Sequence, residues 1–156
     1  MDGQALAKVF EFSHMALTRN LEGITHEESV RPPDEGGNSL NWVLGHLLYY
    51  RNTILKMLGQ PPAWDSPQAE RYARGSAPLG PDDDPVLFET LRAELGRSQG
   101  LLVAALRAAT PEQLAAPAEK GDPVATRIAM LAFHEGYHGG QIGLLRRLLG
   151  HPGAIK

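Results

Sequence analysis

The chain of 156 residues contains no cysteine. Disulfides, thiolate-bound zinc and thiol nucleophiles are therefore excluded, and any metal ion must be held by imidazole, carboxylate or water. A chain without disulfides also fits a reducing compartment. These exclusions direct attention to the six histidines as candidate ligands.

Long apolar runs and clusters of positive charge are absent as well. No stretch of about 18 uncharged apolar residues occurs, and the first residues lack the basic region and apolar run of a signal peptide, so we expect no membrane contact. With a formal net charge of −3 and no run of Lys and Arg, the sequence offers no surface for nucleic acid. We expect a cytoplasmic protein with a small-molecule substrate, folded as a single domain over residues 1–156.

The apolar residues recur at helical spacing, and no segment alternates with period two over the length of a strand. Thr25 and Thr110 are each followed three positions later by Glu or Gln, a capping-box pattern that predicts two short helices. Asp84-Pro85 and Asp122-Pro123 predict the starts of the last two long helices. The pattern predicts an all-α four-helix bundle. The long helices are predicted at residues 3–21, 39–58, 85–109 and 123–149.

Residues 60–84 form a long crossover between the second and third long helices and show no helical periodicity. A loop of that length in a compact domain is usually functional, and we predict that it covers a binding site as a lid. Trp64 and Tyr72 are its expected anchors. A long crossover also breaks simple up-down order, so the second and fourth long helices can be neighbours.

Two histidines, His134 and His138, lie four positions apart in the fourth long helix. At this spacing both rings project from one helix face, here the face that should point into the core. His46, at the edge of the apolar face of the second long helix, is the predicted third ligand. Three neutral imidazoles leave open positions on a divalent ion, as in catalytic rather than structural zinc sites. The alternative is three core histidines with ordinary hydrogen bonds.

Glu135 belongs to two known motif patterns. His134-Glu135-x-x-His138 matches the zinc-protease motif in which the glutamate is a general base, but only 18 residues remain for a downstream ligand. Glu135-x-x-His138 is also half of a di-iron motif, which we reject because the second long helix has no acid near His46. We predict Glu135 at the rim of a pocket or in solvent. Glu135 and Tyr50 are the candidates for catalytic proton transfer.

Other polar residues have predicted supporting or structural roles. Gln141 and Asn41 are possible partners of the ligand histidines, with Gln141 the better placed. His14 shares a face with apolar residues and is predicted to be a core histidine, although a place in a pocket is the alternative. His26 and His151 are predicted at the surface.

The face of the fourth long helix opposite the histidines consists of small residues. Each glycine inside a helix costs about 1 kcal/mol relative to alanine, so close approach of another backbone is expected to offset the cost. Either a tight contact within the bundle or the seam of a homodimer would provide it. The residues are Ala129, Ala132, Gly136, Gly139, Gly140 and Gly143.

Two stretches resemble motifs of the DinB/YfiT-like superfamily. Residues 38–47, Asn-Ser-Leu-Asn-Trp-Val-Leu-Gly-His-Leu, resemble its second-helix motif, and His-x-x-x-His-Gly-Gly-Gln-Ile at 134–142 resembles its fourth-helix motif. The resemblance implies a four-helix bundle with unusual connectivity and a divalent metal, zinc or nickel, held by His46, His134 and His138. It also implies a dimer. Some relatives are transferases or isomerases that use a low-molecular-weight thiol such as bacillithiol or mycothiol.

The sequence departs from the His-His-Arg-Gly-Gln pattern of many members, because Tyr137 precedes His138 and Gly139 stands at the arginine position. If that arginine contacts an anionic substrate in relatives, the contact is missing here. The leading hypothesis is a divalent-metal-dependent enzyme, a thiol-dependent transferase or a hydrolase, with a low-molecular-weight thiol as a possible cosubstrate. The alternative is a metal-stabilised, stress-linked binding or dimerisation module without catalysis.

Overall fold

The structure, a computed structural model, describes residues 2–34, 36–118 and 121–155. Within these ranges it contains six α-helices and no β-strand, which confirms the predicted all-α fold. None of the described helices is long and apolar enough to cross a bilayer. The helices are α1 (Gly3–Leu21), α2 (His26–Val30), α3 (Leu40–Met57), α4 (Phe88–Ala108), α5 (Pro111–Ala115) and α6 (Val124–Leu148).

Four long helices, α1, α3, α4 and α6, form the bundle. Both α1 and α3 pack against α4 and α6, so α1 and α3 lie across one diagonal and α4 and α6 across the other. One apolar cluster contains the first residues of α1 and α6 and the last residues of α3 and α4. The second contains the last residues of α1 and α6 and the first residues of α3 and α4. Thus α1 and α6 run in one direction and α3 and α4 in the other. The crossover between α3 and α4 must therefore return along the length of the bundle.

A buried polar layer separates the two apolar clusters, and each long helix contributes one residue to it. Arg51 of α3 donates Nε–H and Nη2–H to the two carboxylate oxygens of Glu135 of α6, both at 2.8 Å. Arg51 also donates Nη1–H to Ser98 Oγ of α4 at 3.0 Å, and the Ser13 hydroxyl of α1 donates to Glu135. Because a buried charge is stable only beside its partner, this layer constrains α3 against α6.

The crossover is fixed to the bundle at the predicted anchors. Trp64 and Tyr72 are 4% and 0% exposed, which confirms both. Asn52 of α3 accepts the backbone N–H of Trp64 at 3.1 Å and donates to its carbonyl at 2.6 Å. Two short 3₁₀ helices, Ala69–Tyr72 and Pro81–Asp83, interrupt the segment. The crossover therefore has more local structure than its sequence predicts.

The predicted start of the third long helix is wrong by three residues, because α4 begins at Phe88. Asp84 is not its N-cap and adopts a left-handed conformation with φ of 49°. Val86 explains the difference, since its N–H donates to Tyr72 Oη at 3.0 Å and its carbonyl accepts from Asn41 Nδ2 at 2.8 Å. These contacts with the crossover and α3 keep residues 84–87 out of the helix.

Most of the other capping signals act as predicted. The capping boxes at Thr25 and Thr110 are both formed, and Ser39 caps α3. Asp122 is the exception, because α6 begins one residue later than the sequence indicates. The Asp122 carbonyl instead accepts the N–H of Ala118 at 2.7 Å, which closes the loop before α6.

Gly45 lets the crossover approach α3 closely. A Cβ atom at this position would lie 2.2 Å from Cδ1 of Tyr72 and 2.5 Å from Cε1. The Tyr72 ring therefore packs directly against the helix backbone, and a larger residue at position 45 would displace it.

We predict that Gly45→Ala destabilises the protein by about 1–3 kcal/mol, the usual cost of overpacking a tight interior contact. Gly100→Ala is the matched control, because its added Cβ meets nothing within 4 Å among the described residues. It should be neutral or stabilise α4 by up to about 1 kcal/mol. Urea unfolding followed by circular dichroism measures both changes. Equal stability of the two variants would contradict the close contact at position 45.

Candidate metal centre

Three histidine side chains from two helices meet at one point in the structure. His134 Nε2 lies 3.3 Å from His46 Nε2 and 3.0 Å from His138 Nε2. The three ligand atoms all lie within 4.8 Å of one another. A tetrahedral ion with bonds of about 2.0–2.1 Å needs nitrogens roughly 3.3 Å apart, so the cluster could hold a metal ion. The structure thus brings together the three histidines that the sequence analysis selected.

The His46 ring is held in the orientation that a ligand requires. Its Nδ1–H donates to the carbonyl of Tyr72 at 2.7 Å, and its ring stacks on Trp42 with centroids 4.6 Å apart. Because a carbonyl only accepts, the proton is on Nδ1 and the lone pair is on Nε2, which faces the other histidines. The crossover thereby sets the tautomer of a ligand on α3.

His138 is oriented in the same way by its own helix. Its Nδ1–H donates to Gln141 Oε1 at 2.6 Å, so its Nε2 lone pair also faces His134. Gln141 lies one turn away on α6 and supports the ligand as the sequence analysis proposed. Two lone pairs directed at one point, with their tautomers set by outer partners, fit the chemistry of a metal centre.

The cluster is uncharged at neutral pH. Burial lowers the pKa of His134 to about 4, and repulsion from His138 and His46 in their protonated forms acts in the same direction. Burial also lowers the pKa of His46 and of His138, although the Tyr72 carbonyl and Gln141 partly oppose the shift. Neutral imidazoles are the forms that bind metal ions, so no protons must be displaced from the rings near pH 7.

Tyr50 is the aromatic side chain beside the cluster. Its ring centroid lies 4.9 Å from that of His46 and 4.6 Å from that of His134. The ring also lines the adjoining cavity. Tyr50 therefore occupies a position from which a phenol could exchange a proton with a bound substrate.

Glu135 does not lie where the sequence analysis predicted, at a pocket rim or in solvent. It is 3% exposed, and Arg51 and Ser13 bind its carboxylate inside the bundle. Burial alone would raise the pKa of Glu135, but the charge and hydrogen bonds of Arg51, with that of Ser13, outweigh it and hold the pKa below its usual value. The position next to His134 turns the side chain about 100° away from the ligand face. The Glu135 carboxylate therefore lies inside the bundle, and Glu135 is not among the residues that line the described wall of the cavity.

Asn41 is also farther from the cluster than a direct partner would be. It accepts the Tyr72 hydroxyl at 3.0 Å and donates to the Val86 carbonyl. Through these bonds it fixes the crossover residue whose carbonyl orients His46. The interaction is therefore one step removed from the ligand ring.

The other three histidines, His14, His26 and His151, lie outside the cluster. His26 is not a simple surface residue, because its Nδ1 accepts the N–H of Phe88 at 3.2 Å and so caps α4. His151 binds Glu28 at 2.9 Å. His14 is half-buried and lines a second, smaller cavity between α1 and α4, which matches the pocket alternative rather than the core position.

The glycines of α6 divide between two environments. A Cβ atom added at Gly139 or Gly143 would lie 3.6 or 3.5 Å from side chains of α1, an ordinary van der Waals distance, so alanine would fit at both positions. A Cβ added at Gly136 or Gly140 would meet no described atom within 4 Å. Contact within the bundle therefore does not require glycine at either pair, and Gly136 and Gly140 lie on the outer surface.

A cavity of about 800 Å³ opens onto the histidines. Side chains of α3 and α6 form most of its wall, and the loop before α3 and the crossover complete it. It is large enough for a small organic molecule. A ligand in this cavity would reach the face of the cluster that the protein leaves open.

The fold and the centre define a four-helix-bundle protein with three histidines that could hold a metal ion. The sequence matches the DinB superfamily over residues 10–142, and the chain belongs to this superfamily. It is similar in fold to a conserved protein from Enterococcus faecalis of known crystal structure, with a TM-score of 0.75 and 19% identity over 96% of this chain and 98% of that chain. No curated protein matches the chain.

We predict that Glu135→Gln destabilises the protein by about 3–5 kcal/mol, because it leaves the buried Arg51 charge uncompensated. Replacing both partners, as in Arg51→Met with Glu135→Leu, should recover most of this loss, since the apolar pair carries no desolvated charge. Glu94→Gln removes one half of the exposed Glu94–Arg97 pair and is the control, with an expected cost below about 0.5 kcal/mol. Urea unfolding measures all three. Similar costs at 135 and 94 would show that the polar layer does not constrain the bundle.

Proposed function

We propose that this DinB-superfamily protein is a divalent-metal-dependent enzyme, a thiol-dependent transferase or a hydrolase, that acts on a small molecule in the cavity. The observation that carries the proposal is the convergence of three Nε2 atoms on an open cavity. Structural zinc sites are closed by a fourth protein ligand, whereas catalytic sites keep a position for water or substrate. In the part of the chain that the structure describes, the cluster consists of three ligands.

Each residue around the cavity has a distinct task under this proposal. His46, His134 and His138 hold zinc or nickel, and Tyr72 and Gln141 keep the first and last of these rings in the ligating tautomer. When bound, the ion supplies Lewis acidity, which lowers the pKa of a thiol or polarises a carbonyl.

The ring of Tyr50 beside His134 is placed to give or accept a proton at the substrate. We favour thiol-dependent transfer over hydrolysis on the basis of family membership. Some members of the superfamily that the sequence resembles use low-molecular-weight thiols. The cavity, of about 800 Å³, has a volume typical of small-molecule sites.

Metal analysis is the first test. Protein purified without a histidine tag should bind about one zinc or nickel ion per chain, and His138→Ala should abolish this binding. Gln141→Leu should weaken metal affinity about 10–100-fold, because outer partners orient the ligand ring. His151→Ala removes a histidine outside the centre and is the control. Unchanged metal content in His138→Ala would contradict the ligand assignment.

Activity separates the enzyme from the binding module. The metal-loaded protein is incubated with a low-molecular-weight thiol and an aryl halide, and thioether formation is followed by absorbance. Turnover that requires both thiol and metal supports the transferase, and ester hydrolysis without thiol supports the hydrolase. Full metal loading with neither activity favours the non-catalytic alternative.

The outer face of α6 supports association of two copies of the chain, the feature that favours a dimerisation role. Phe133, Tyr137 and Leu144 on this face are 77%, 59% and 60% exposed. Gly136 and Gly140 lie on the same face with open space above them, so a second backbone can approach closely. Burying this face against another copy would offset both the exposed apolar area and the cost of the two glycines.

We predict that the protein is a dimer at micromolar concentration and that Phe133→Glu converts it to a monomer, because a charge would be buried in the seam. Leu101→Glu changes an exposed apolar residue on α4 and is the control, which should remain dimeric. Sedimentation velocity distinguishes these states. A monomeric wild-type protein, or a Phe133→Glu dimer, would remove the outer face of α6 as the seam.

A further inference from the structure

The cavity beside the histidines has an unbalanced set of charges. Arg74 of the crossover and Arg127 of α6 line it, and no carboxylate lies on its described wall. Neither arginine forms an ion pair with any residue in the described ranges, whereas Arg51, Arg97 and Arg107 do. These two guanidinium groups therefore have no acidic side chain opposite them on the described wall of the cavity.

Arg127 stands on the same face of α6 as the ligand histidines. It precedes His134 by seven residues, so the two positions are about 10 Å apart along the helix axis. The Arg127 guanidinium approaches Met130 Sδ, another residue of the cavity wall, at 3.9 Å. Its side chain thus extends along the wall in the direction of the histidines.

Arg74 is held at the cavity by residues on both sides of it. Tyr72 is fully buried and bound to His46, and Ser76 Oγ accepts the indole N–H of Trp42 at 3.1 Å. The backbone between these two points cannot move far from α3.

The other end of the cavity is apolar. Leu145 and Leu148 continue the ligand face of α6 beyond His138, and Val43 of α3 and Pro33 lie on the wall as well. The antiparallel arrangement of α3 and α6 places Val43 toward this end and Tyr50 toward Arg127. Arg74, between the anchors at His46 and Trp42, lies beside the histidines, so the cavity is cationic from Arg127 to the histidines and apolar beyond them.

We infer that the cavity selects an organic anion, with a carboxylate held by Arg74 and Arg127 and an apolar body lying along the leucine end. Guanidinium groups bind carboxylates through paired charge-assisted hydrogen bonds, which a neutral amide cannot match. The inference names the substrate class of the proposed enzyme and rests on that proposal for the reacting group. The binding of the anion, however, is assigned to the arginines and not to a metal ion.

The test uses phenylalkyl carboxylates, from phenylacetate to 6-phenylhexanoate, each paired with its neutral primary amide. Titration calorimetry is performed on the full chain in metal-free and zinc-loaded forms. We expect at least one acid to bind the metal-free protein five-fold or more tightly than its amide. Arg74→Gln with Arg127→Gln should weaken the acid about tenfold and leave the amide unchanged. Arg92→Gln, which removes a charge beside the second cavity, is the control and should change neither.

The outcomes separate this inference from the proposed metal function. Equal binding of every acid and amide, or a preference that survives in the double arginine variant, overturns the inference. A preference that exists only with zinc bound also overturns it, because the ion would then hold the anion. A protein that prefers the acid but binds no zinc retains the arginine assignment and loses the metal proposal.

Discussion

The buried ion pair between Arg51 and Glu135 is the constraint on which the rest of the structure depends. It joins α3 to α6, the two helices that carry the ligand histidines, and it lies next to His134 in sequence. An α-helix turns about 100° per residue, so a shift of one residue between α3 and α6 would move an imidazole out of the cluster. Because breaking a buried charged pair is costly, the pair between the two apolar clusters favours the register in which both charges are matched.

The crossover completes the centre as well as connecting two parallel helices. Gly45 admits the Tyr72 ring, Asn41 binds its hydroxyl, and the Tyr72 carbonyl sets the tautomer of His46. The same segment carries Arg74 to the cavity wall. Docking of the crossover, orientation of a ligand and the charge of the cavity are therefore linked through one short stretch of chain. The long connection required by the bundle topology is used to build the functional site.

The long helices and the three clustered histidines could be predicted from the sequence. Predictions were wrong where the surroundings of a residue come from distant parts of the chain. Helical periodicity is local, so the shared face of His134 and His138 can be predicted from spacing alone. The burial of Glu135 depends on Arg51, a partner 84 positions away on another helix. The late start of α4 likewise depends on hydrogen bonds of Tyr72 and Asn41 to Val86, against a strong local capping signal at Asp84-Pro85.

In the proposed metal centre, the Nε2 atoms of His46, His134 and His138 bind one ion at the wall of the cavity. A crystal structure of the protein grown with zinc, with anomalous scattering recorded on both sides of the zinc edge, tests it most directly. We expect a single strong peak at about 2.0–2.1 Å from Nε2 of His46, His134 and His138, with the Tyr72 and Gln141 hydrogen bonds retained. A peak bound by only two of these rings, ligation through Nδ1, or zinc located elsewhere on the chain would contradict it.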